Sequence, residues 1–392
     1  MTGTSVERPA RTADPTGTLP EDSPVRLPED SPVRDLFAGK NALVGGGDPY
    51  PVYRRMRARG VISDEMGAHV ARYADVLAVL RDPRTSADAR NSSAFTDGVL
   101  RGQLNDQQQA AAVRRSFLNQ DPPDHTRLRR LVAKAFTSRR IQALRPAIER
   151  FVSRAIDTAA ERGRLDVVAD LAYPLPARTI CGMLGIPVQD HPGFAQRTQL
   201  CCYDPAVFAG TVPEVMDQAI LARDADLDYY ASLVAERRAA PGDDLISALI
   251  AAGDEGDRLT DEELVNTIRL LFIAGHETTV GLIANGMLAL LRSPSQLQLL
   301  RDQPGLAGEA VEETLRYDPP FQFARRVATA DLHLNGAVIP AGAPMMVWLA
   351  AANRDDDVFP EPDRFDIARP GERHLAFGAG IHACLGTPLA RL

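Results

Sequence analysis

The chain has 392 residues, of which 45% are hydrophobic and 24% charged, and its formal net charge is -8. This composition allows a large core, and the acidic balance argues against nucleic acid or an anionic membrane as a partner of the whole molecule. The four cysteines include the adjacent Cys201 and Cys202, which suit a disulfide framework poorly, and the N-terminus carries no signal-peptide or membrane-spanning apolar run. We therefore expect a cytoplasmic protein.

Residues 1–34 form a leader rich in Pro, Thr, Asp and Glu, in which the eight residues 19–26 are repeated at once as residues 27–34. The repeated unit is too short and too polar to bury a stacking face. We predict that residues 1–34 are disordered. No low-complexity linker divides residues 35–392, so we expect one catalytic domain there.

The chain after residue 48 predicts a small mixed α/β region, with a helix over 50–59, paired strands at 61–62 and 69–71, and a helix over 74–80. Residues 85–120 are polar and lack periodicity, which indicates a long loop bordering a binding site.

Apolar residues at three- and four-residue spacing then predict long helices over residues 128–136, 141–159, 214–238, 243–252, 261–291 and 305–317. Near the C-terminus, alternation on both sides of Asn335-Gly336 predicts a hairpin over 332–342. A strand is predicted at 346–350, and the Asp- and Pro-rich residues 353–370 predict an irregular, ordered meander. The fold class is mainly α with small β-sheets.

One cysteine, Cys384, follows a glycine-containing loop and precedes a helix expected to begin near Leu385. Glycines allow close approach of the backbone to a flat cofactor, and a helix N-terminus stabilises a thiolate. A buried structural cysteine in a glycine-rich turn is the alternative. Residues 377–386 resemble the haem-binding signature of the cytochrome P-450 family. The resemblance implies that Cys384 ligates the iron of haem b, with cofactor contacts from Phe377, Gly378, His382 and Gly386.

The predicted helix over 261–291 contains Ala274-Gly275-His276-Glu277-Thr278-Thr279, although Gly and Thr are poor helix formers. A threonine hydroxyl that bonds to the backbone can open a bulge for a ligand, and Glu277 beside it can pass protons. The alternative is a packing glycine with solvent-facing Glu and Thr. The segment resembles the family's oxygen-activating motif, which implies that Glu277 and Thr278 are catalytic and that Ala274 and Gly275 contact the cofactor. We expect His276 to face neighbouring structure.

His125 and Arg129 lie four residues apart on one helical face, where cationic side chains can clamp a carboxylate. The resemblance implies that they bind the haem propionates together with Arg326 and His374. A solvated basic helix end is the alternative interpretation for Arg127 and Arg130.

Glu313 and Arg316 lie three residues apart, and such a pair on an exposed helix contributes only about 0.2–0.5 kcal/mol. The family has a buried Glu-x-x-Arg pair that is held by an arginine of the meander. The third partner here is Arg364 or Arg369, and the role is structural support of the cysteine loop.

The resemblance places the substrate site among residues 85–115, residues 198–213, and two segments that contain Leu271, Phe272, Phe321, Gln322 and Phe323. An apolar pocket with one amide suits a lipophilic substrate that also carries polar groups.

Residues 45–392 resemble soluble bacterial cytochromes P-450 that receive electrons from ferredoxin and ferredoxin reductase. The resemblance implies a triangular, mostly helical prism and hydroxylation or epoxidation by O2 of a lipophilic small molecule, for example a polyketide or peptide natural product. We expect a monomer. A basic stretch that contains Arg127, Arg130, Lys134, Arg139 and Arg140 is expected to bind the ferredoxin.

The family continues for several dozen residues beyond the position of Leu392, so the C-terminal end of the fold is expected to be truncated. One alternative is therefore a haem-binding family member that is catalytically inactive or recruits partners. A peroxide-driven peroxygenase is another, but Glu277 and Thr278 favour O2 and a reductant.

Overall fold

The computed structural model describes residues 31–37, 47–93, 95–96, 116–187, 213–254, 257–371 and 373–392. Most of the leader, most of the predicted loop at 85–120, residues 198–212 and Cys201 and Cys202 lie outside the described residues. The helices are α1 Arg34–Phe37, α2 Tyr50–Arg59, α3 Tyr73–Arg81, α4 Asp124–Ala135, α5 Ser138–Arg162, α6 Pro174–Leu184, α7 Pro213–Ala239, α8 Leu245–Ala251, α9 Asp261–Arg292, α10 Pro294–Asp302, α11 Ala307–Tyr317, α12 Leu349–Ala352 and α13 Thr387–Arg391. The strands are β1 Ile62–Asp64, β2 Gly67–Val70, β3 Thr85–Ser86, β4 Gly253–Asp254, β5 Asp257–Arg258, β6 Ala324–Ala328, β7 Leu332–Leu334, β8 Ala337–Ile339 and β9 Pro344–Val347.

The long helix α9 begins at a well-formed cap. The Thr260 hydroxyl accepts a hydrogen bond from the Glu263 amide, and the Glu263 carboxylate accepts one from the Thr260 amide. Such a reciprocal pair satisfies amide groups that the first helical turn leaves without partners. The helix then runs without interruption to Arg292, as the apolar periodicity predicts. The bulge expected at the Thr278 position is absent from this helix.

The main sheet has five strands in the order β1-β2-β9-β6-β3, and only the β2–β9 pairing is parallel among those described. β7 and β8 form the predicted hairpin. Asn335 and Gly336 have φ angles of 48° and 83°. Positive φ at both central residues is typical of the tight turn whose twist matches two antiparallel strands.

One predicted strand needs correction, and two helices were not predicted. The strand predicted at 346–350 ends at Val347, because the Ala352 amide donates to the Trp348 carbonyl four residues earlier and residues 349–352 form α12. Helices α6 and α10 were missed. Both begin with proline, which breaks a helix interior but fits the first helical turn, where the missing N–H costs nothing.

The largest apolar core joins α4, α6, α7, α8 and α9. A second core lies between the main sheet and α3, and it includes Leu375 and Ala379 from the segment before Cys384. The third surrounds Trp348, and the fourth joins the end of α9 to α11 and the meander. The cysteine loop is therefore held between the sheet core and the helical core.

Candidate active site

The loop that carries Cys384 is shaped by two glycines. Gly378 and Gly380 have φ angles of 67° and 71°, in the left-handed region. A Cβ atom on Gly380 would also lie 2.2 Å from the Leu80 carbonyl oxygen at the end of α3, so a side chain is excluded. The Cys384 amide donates to the Phe377 carbonyl at 2.9 Å, which closes the loop, and α13 begins three residues later at Thr387. The Cys384 side chain is exposed at the end of this loop.

Two further residues of the segment 377–386, Phe377 and Gly386, make unstrained contacts. A Cβ atom on Gly386 would lie 3.8 Å from the Cys384 Sγ atom, an unstrained contact. The Phe377 ring packs against His374, with ring centroids 5.8 Å apart, and against the Arg391 guanidinium at 5.2 Å.

Four basic side chains converge beside the cysteine loop. The rings of His125 and His382 lie 4.2 Å apart, and the Arg129 guanidinium donates to the Ala383 carbonyl at 2.6 Å. Burial, followed by the charges of Arg326, His125 and Arg129, lowers the pKa of His382 to about 3. Burial also lowers the pKa of Arg326 to about 10. Both ring nitrogens of His125 and of His382 are buried without hydrogen-bond partners.

This cluster fits a dianionic cofactor, because buried cations and unpaired ring nitrogens are costly unless anions accept their hydrogen bonds. Asp121 acts on Arg326 and His125 only at longer range, and its carboxylate is occupied by Ser86 and the Ala87 amide. The two propionates of haem b match the charge and the donor set of the cluster.

His374, predicted as a propionate ligand, does not join this cluster. Its Nε2 atom lies 3.2 Å from the Glu312 carboxylate, and its Nδ1 atom accepts a hydrogen bond from the Ala376 amide. His382 is instead the histidine that the cysteine loop brings to His125, Arg129 and Arg326. Both histidines were predicted to contact the cofactor, and the path of the loop brings only His382 to the cluster.

The face of α9 that contains Ala274 and Thr278 differs from the rest of this helix. Ala274 is exposed although Leu271, Phe272 and His276 are buried. The Thr278 hydroxyl donates to the Ala274 carbonyl at 2.6 Å, which leaves its oxygen lone pairs free to accept. Glu277 is partly buried, and its Oε1 atom has no hydrogen-bond partner.

Gly275 faces away from this side of α9. A Cβ atom there would lie 3.2 Å from the Ile180 Cδ1 atom of α6, so the missing side chain allows close packing of α6 on α9. The packing interpretation therefore describes Gly275 better than the predicted cofactor contact.

The pair Glu313–Arg316 is buried, as expected. Two hydrogen bonds of 2.7 and 2.8 Å join the Arg316 guanidinium to the Glu313 carboxylate. The side-chain partner from the meander is Arg369, whose Nε atom lies 3.4 Å from Glu313. Arg364, the other candidate from the sequence, contributes only its backbone carbonyl, and its side chain pairs with Glu361 and Asp366.

The predicted pocket residues divide between two environments. Leu271 and Phe272 are both buried in the helical core, where Phe272 lies beside His276. Gln322 is occupied, because its amide oxygen accepts from the Tyr53 hydroxyl and its nitrogen donates to the Pro319 carbonyl. Phe323 packs against Trp348, and Phe321 is 51% exposed. The predicted pocket amide is therefore not available from Gln322.

Two residues that support the cysteine loop were missed. The Asn353 side chain accepts from the Leu375 amide at 2.6 Å and donates to the Leu315 carbonyl, so it joins the loop to α11. Glu312 accepts from Arg391 and contacts His374. These two contacts, with the hydrogen bond to His374 first among the causes, hold the pKa of Glu312 at about 2. Their partners lie 22 or more residues away along the chain, so no local pattern marks them.

Known proteins resemble this chain closely. The family model for cytochrome P450 matches residues 195–303 and 306–392. Cytochrome P450 monooxygenase PikC of Streptomyces venezuelae is 44% identical over 88% of this chain and 81% of its own length. Vitamin D(3) 25-hydroxylase of Pseudonocardia autotrophica is 39% identical over 91% of this chain and 85% of its own. The crystal structure of Mycobacterium smegmatis CYP164A2 with econazole bound has a TM-score of 0.79 and 41% identity, and the match covers 88% of this chain and 86% of that one.

A mostly helical fold with a cysteine-bearing loop beside a largely buried cluster of basic side chains defines a haem-binding oxidoreductase. The chain belongs to the cytochrome P450 family, of the bacterial type, and is a monooxygenase that binds haem b. Proteins of this type take electrons from redox partners and bind small substrates. The alternative of an inactive haem-binding protein has no support from these relatives. No helix among the described residues is long and apolar enough to cross a membrane.

Proposed function

We propose that this enzyme inserts one oxygen atom of O2 into a C–H or C=C bond of a lipophilic natural product, with electrons from a ferredoxin and its reductase. It would work as a cytoplasmic monomer, with residues 35–392 as its catalytic domain. The observation that carries the proposal is the buried cluster of His125, Arg129, Arg326 and His382 beside the Cys384 loop. These four residues would bind the propionates, and Cys384 would ligate the iron.

Haem b with a thiolate ligand supplies the chemistry of O2 reduction and oxygen transfer when it is bound. The protein contributes proton supply through Glu277 and Thr278. Because the Thr278 hydrogen is directed to the Ala274 carbonyl, the Thr278 oxygen is oriented to accept a hydrogen bond from a group on the exposed side of Ala274. The partly buried Glu277 carboxyl, next to it in the chain, exchanges protons with solvent.

The neighbouring threonine offers a matched control for this role. Thr279 also donates to a carbonyl four residues earlier, that of Gly275, on the side of α9 that packs toward α6. Thr278→Ala should bind substrate but divert electrons to peroxide, whereas Thr279→Ala should couple as the wild type does. The measurement is product formed per NAD(P)H consumed. Tight coupling in Thr278→Ala would contradict the relay.

The proposed substrate class rests on the relatives and on the exposed, apolar Ala274 of α9. One relative is named for the hydroxylation of vitamin D(3), and one similar structure holds econazole, and both molecules are lipophilic. A panel of steroids, macrolides and fatty acids should be screened for a shift of the haem Soret band. If only polar or charged compounds shift it, the lipophilic class is wrong.

The ferredoxin proposal rests on an exposed basic pair of α4, Arg130 and Lys134, which lie four residues apart. Arg127 contributes less than expected because Asp257 and Glu263 pair with it, and Arg140 lies 3.5 Å from Asp243. Exposed basic side chains steer an acidic partner at low salt even when the net charge of the molecule is negative.

Reversing both charges, in Arg130→Glu with Lys134→Glu, should slow reduction by ferredoxin and flatten its salt dependence. The control is the same double charge reversal at two exposed arginines of α5, Arg150 and Arg154. Arg150 lies about 18 Å along the helix axis from the first residue of α5. Equal stopped-flow rates in both double variants across ionic strength would place the docking surface elsewhere.

A further inference from the structure

His276 lies in the middle of α9 with a fully buried side chain and two polar neighbours. Its Nε2 atom is 3.2 Å from the Tyr173 carbonyl, in the turn that begins α6, and its Nδ1 atom is 3.6 Å from Glu277 Oε1. Both the Nδ1 atom and Glu277 Oε1 are buried, and neither has a hydrogen-bond partner. Adjacent residues of a helix normally point to different faces, so Glu277 must turn its carboxyl back toward the interior to make this contact.

The Tyr173 carbonyl determines where the ring carries hydrogen. A carbonyl only accepts, so Nε2 must carry the proton in that contact, and Nδ1 has a lone pair when the ring is neutral. Burial lowers the pKa of His276, which favours the neutral ring. A carboxylate oxygen also only accepts, so the contact between Nδ1 and Oε1 is favourable only when one proton lies between them.

The other groups in contact with the His276 imidazole are consistent with a neutral ring that carries its proton on Nε2. Glu277 is the charged neighbour on the ring's own helix, and the Tyr173 ring meets the imidazole edge-on from the turn before α6, with centroids 4.9 Å apart. Phe272, one turn earlier on α9, is apolar, and its ring lies tilted to the imidazole with centroids 6.1 Å apart.

We propose that His276 is a positioning residue of the proton relay, which holds the Glu277 carboxyl next to Thr278 through a proton shared between Nδ1 and Oε1 when these atoms close from 3.6 Å to hydrogen-bond distance. This inference rests on the proposed relay of Glu277 and Thr278. The hydrogen bond to Tyr173 fixes the imidazole, and the shared proton fixes the carboxyl. A proton that leaves the pair toward Thr278 is replaced from solvent through the exposed part of Glu277, which is 32% of its side chain, so the charge of the pair is restored after each turnover.

The first test is a double-mutant cycle measured as product per NAD(P)H. Glutamine can reproduce the Nε2 contact with Tyr173 but not the Nδ1 contact, so His276→Gln keeps the packing and loses the positioning. We expect H276Q and E277Q each to lower coupling about five- to tenfold, and the double variant to equal E277Q within about twofold. Ile180→Val, at the same seam between α6 and α9, should couple as the wild type does.

Several outcomes would overturn the inference. If the effects of H276Q and E277Q multiply in the double variant, His276 acts independently of Glu277. If E277Q uncouples while H276Q does not, the relay stands and the positioning role is wrong. If E277Q itself couples normally, the relay proposal fails, and that failure is separate from the contact tested next.

The second test does not depend on turnover. In the reduced, carbon monoxide-bound protein labelled with 15N-histidine, the Nδ1 resonance of His276 should move in Glu277→Leu and stay in place in Thr279→Ala. H276Q assigns that resonance among the 7 histidines of the chain. An unmoved resonance in E277L would show that no proton is shared, whatever the stability of H276Q.

Discussion

Replacing Arg316 with methionine tests the buried network beneath the cysteine loop. The substitution keeps much of the side-chain volume but removes the charge that faces the buried Glu313 carboxylate. Breaking a buried ion pair by removing one partner typically costs about 3–5 kcal/mol. Here Glu313 keeps the Asp366 amide at 2.8 Å and Arg369 at 3.4 Å, which reduces the loss.

Against that compensation, Arg316 also donates to the carbonyls of Asn353, Pro362 and Arg364. A carbonyl that the substitution leaves buried without a hydrogen bond adds about 1–3 kcal/mol to the loss of stability. We therefore expect a loss toward the upper part of the range of about 3–5 kcal/mol. That is a large fraction of the about 5–15 kcal/mol that stabilises a typical domain, and haem retention should fall with it.

The assay is urea unfolding followed by the fluorescence of Trp348, the only tryptophan of the chain and a fully buried one, together with the haem absorbance. Arg364→Ala is the matched control, because it leaves the carbonyl in place and removes a side chain that is 56% exposed; it should change stability by less than about 0.5 kcal/mol. A loss below about 1 kcal/mol in Arg316→Met, or an equal loss in Arg364→Ala, would refute the reasoning.

Three further predictions concern the cysteine loop. Cys384→Ser should abolish the thiolate-type Soret band of the reduced carbon monoxide complex and stop monooxygenation, and wild-type turnover would contradict its role as ligand. Gly380→Ala should lower haem content, because its Cβ would overlap the Leu80 carbonyl at 2.2 Å, while Gly371→Ala, where a Cβ meets no neighbour, should not. The pKa of His382 falls from 6.5 to about 3 on folding. Between these two pH values the unfolded chain binds more protons than the folded chain. The haem-free protein should therefore lose stability as the pH falls from 6.5 toward about 3. Acid titration of His382→Phe should give a flatter profile, and an unchanged slope would assign the acid sensitivity to other groups.

Local patterns in the sequence predicted much of the fold and the residues at the centre of the site. Apolar spacing located α9 and α11 because a helix buries one face at a fixed period, and Asn335-Gly336 marked a hairpin because positive φ favours these residue types. The residues around Cys384 and Thr278 are contiguous, so their chemistry could be interpreted before any packing was known.

The long-range contacts of the site residues depend on how distant parts of the chain pack together. Arg369 reaches Glu313 and Arg364 does not, and His382 joins the cationic cluster while His374 binds Glu312. The orientations of Gly275 and Gln322 likewise depend on α6 and on Tyr53. A local pattern specifies which face of its own helix or strand a residue occupies. The residue that contacts this face comes from a distant part of the sequence, where several residues have the same chemistry. Only packing determines which of them makes the contact.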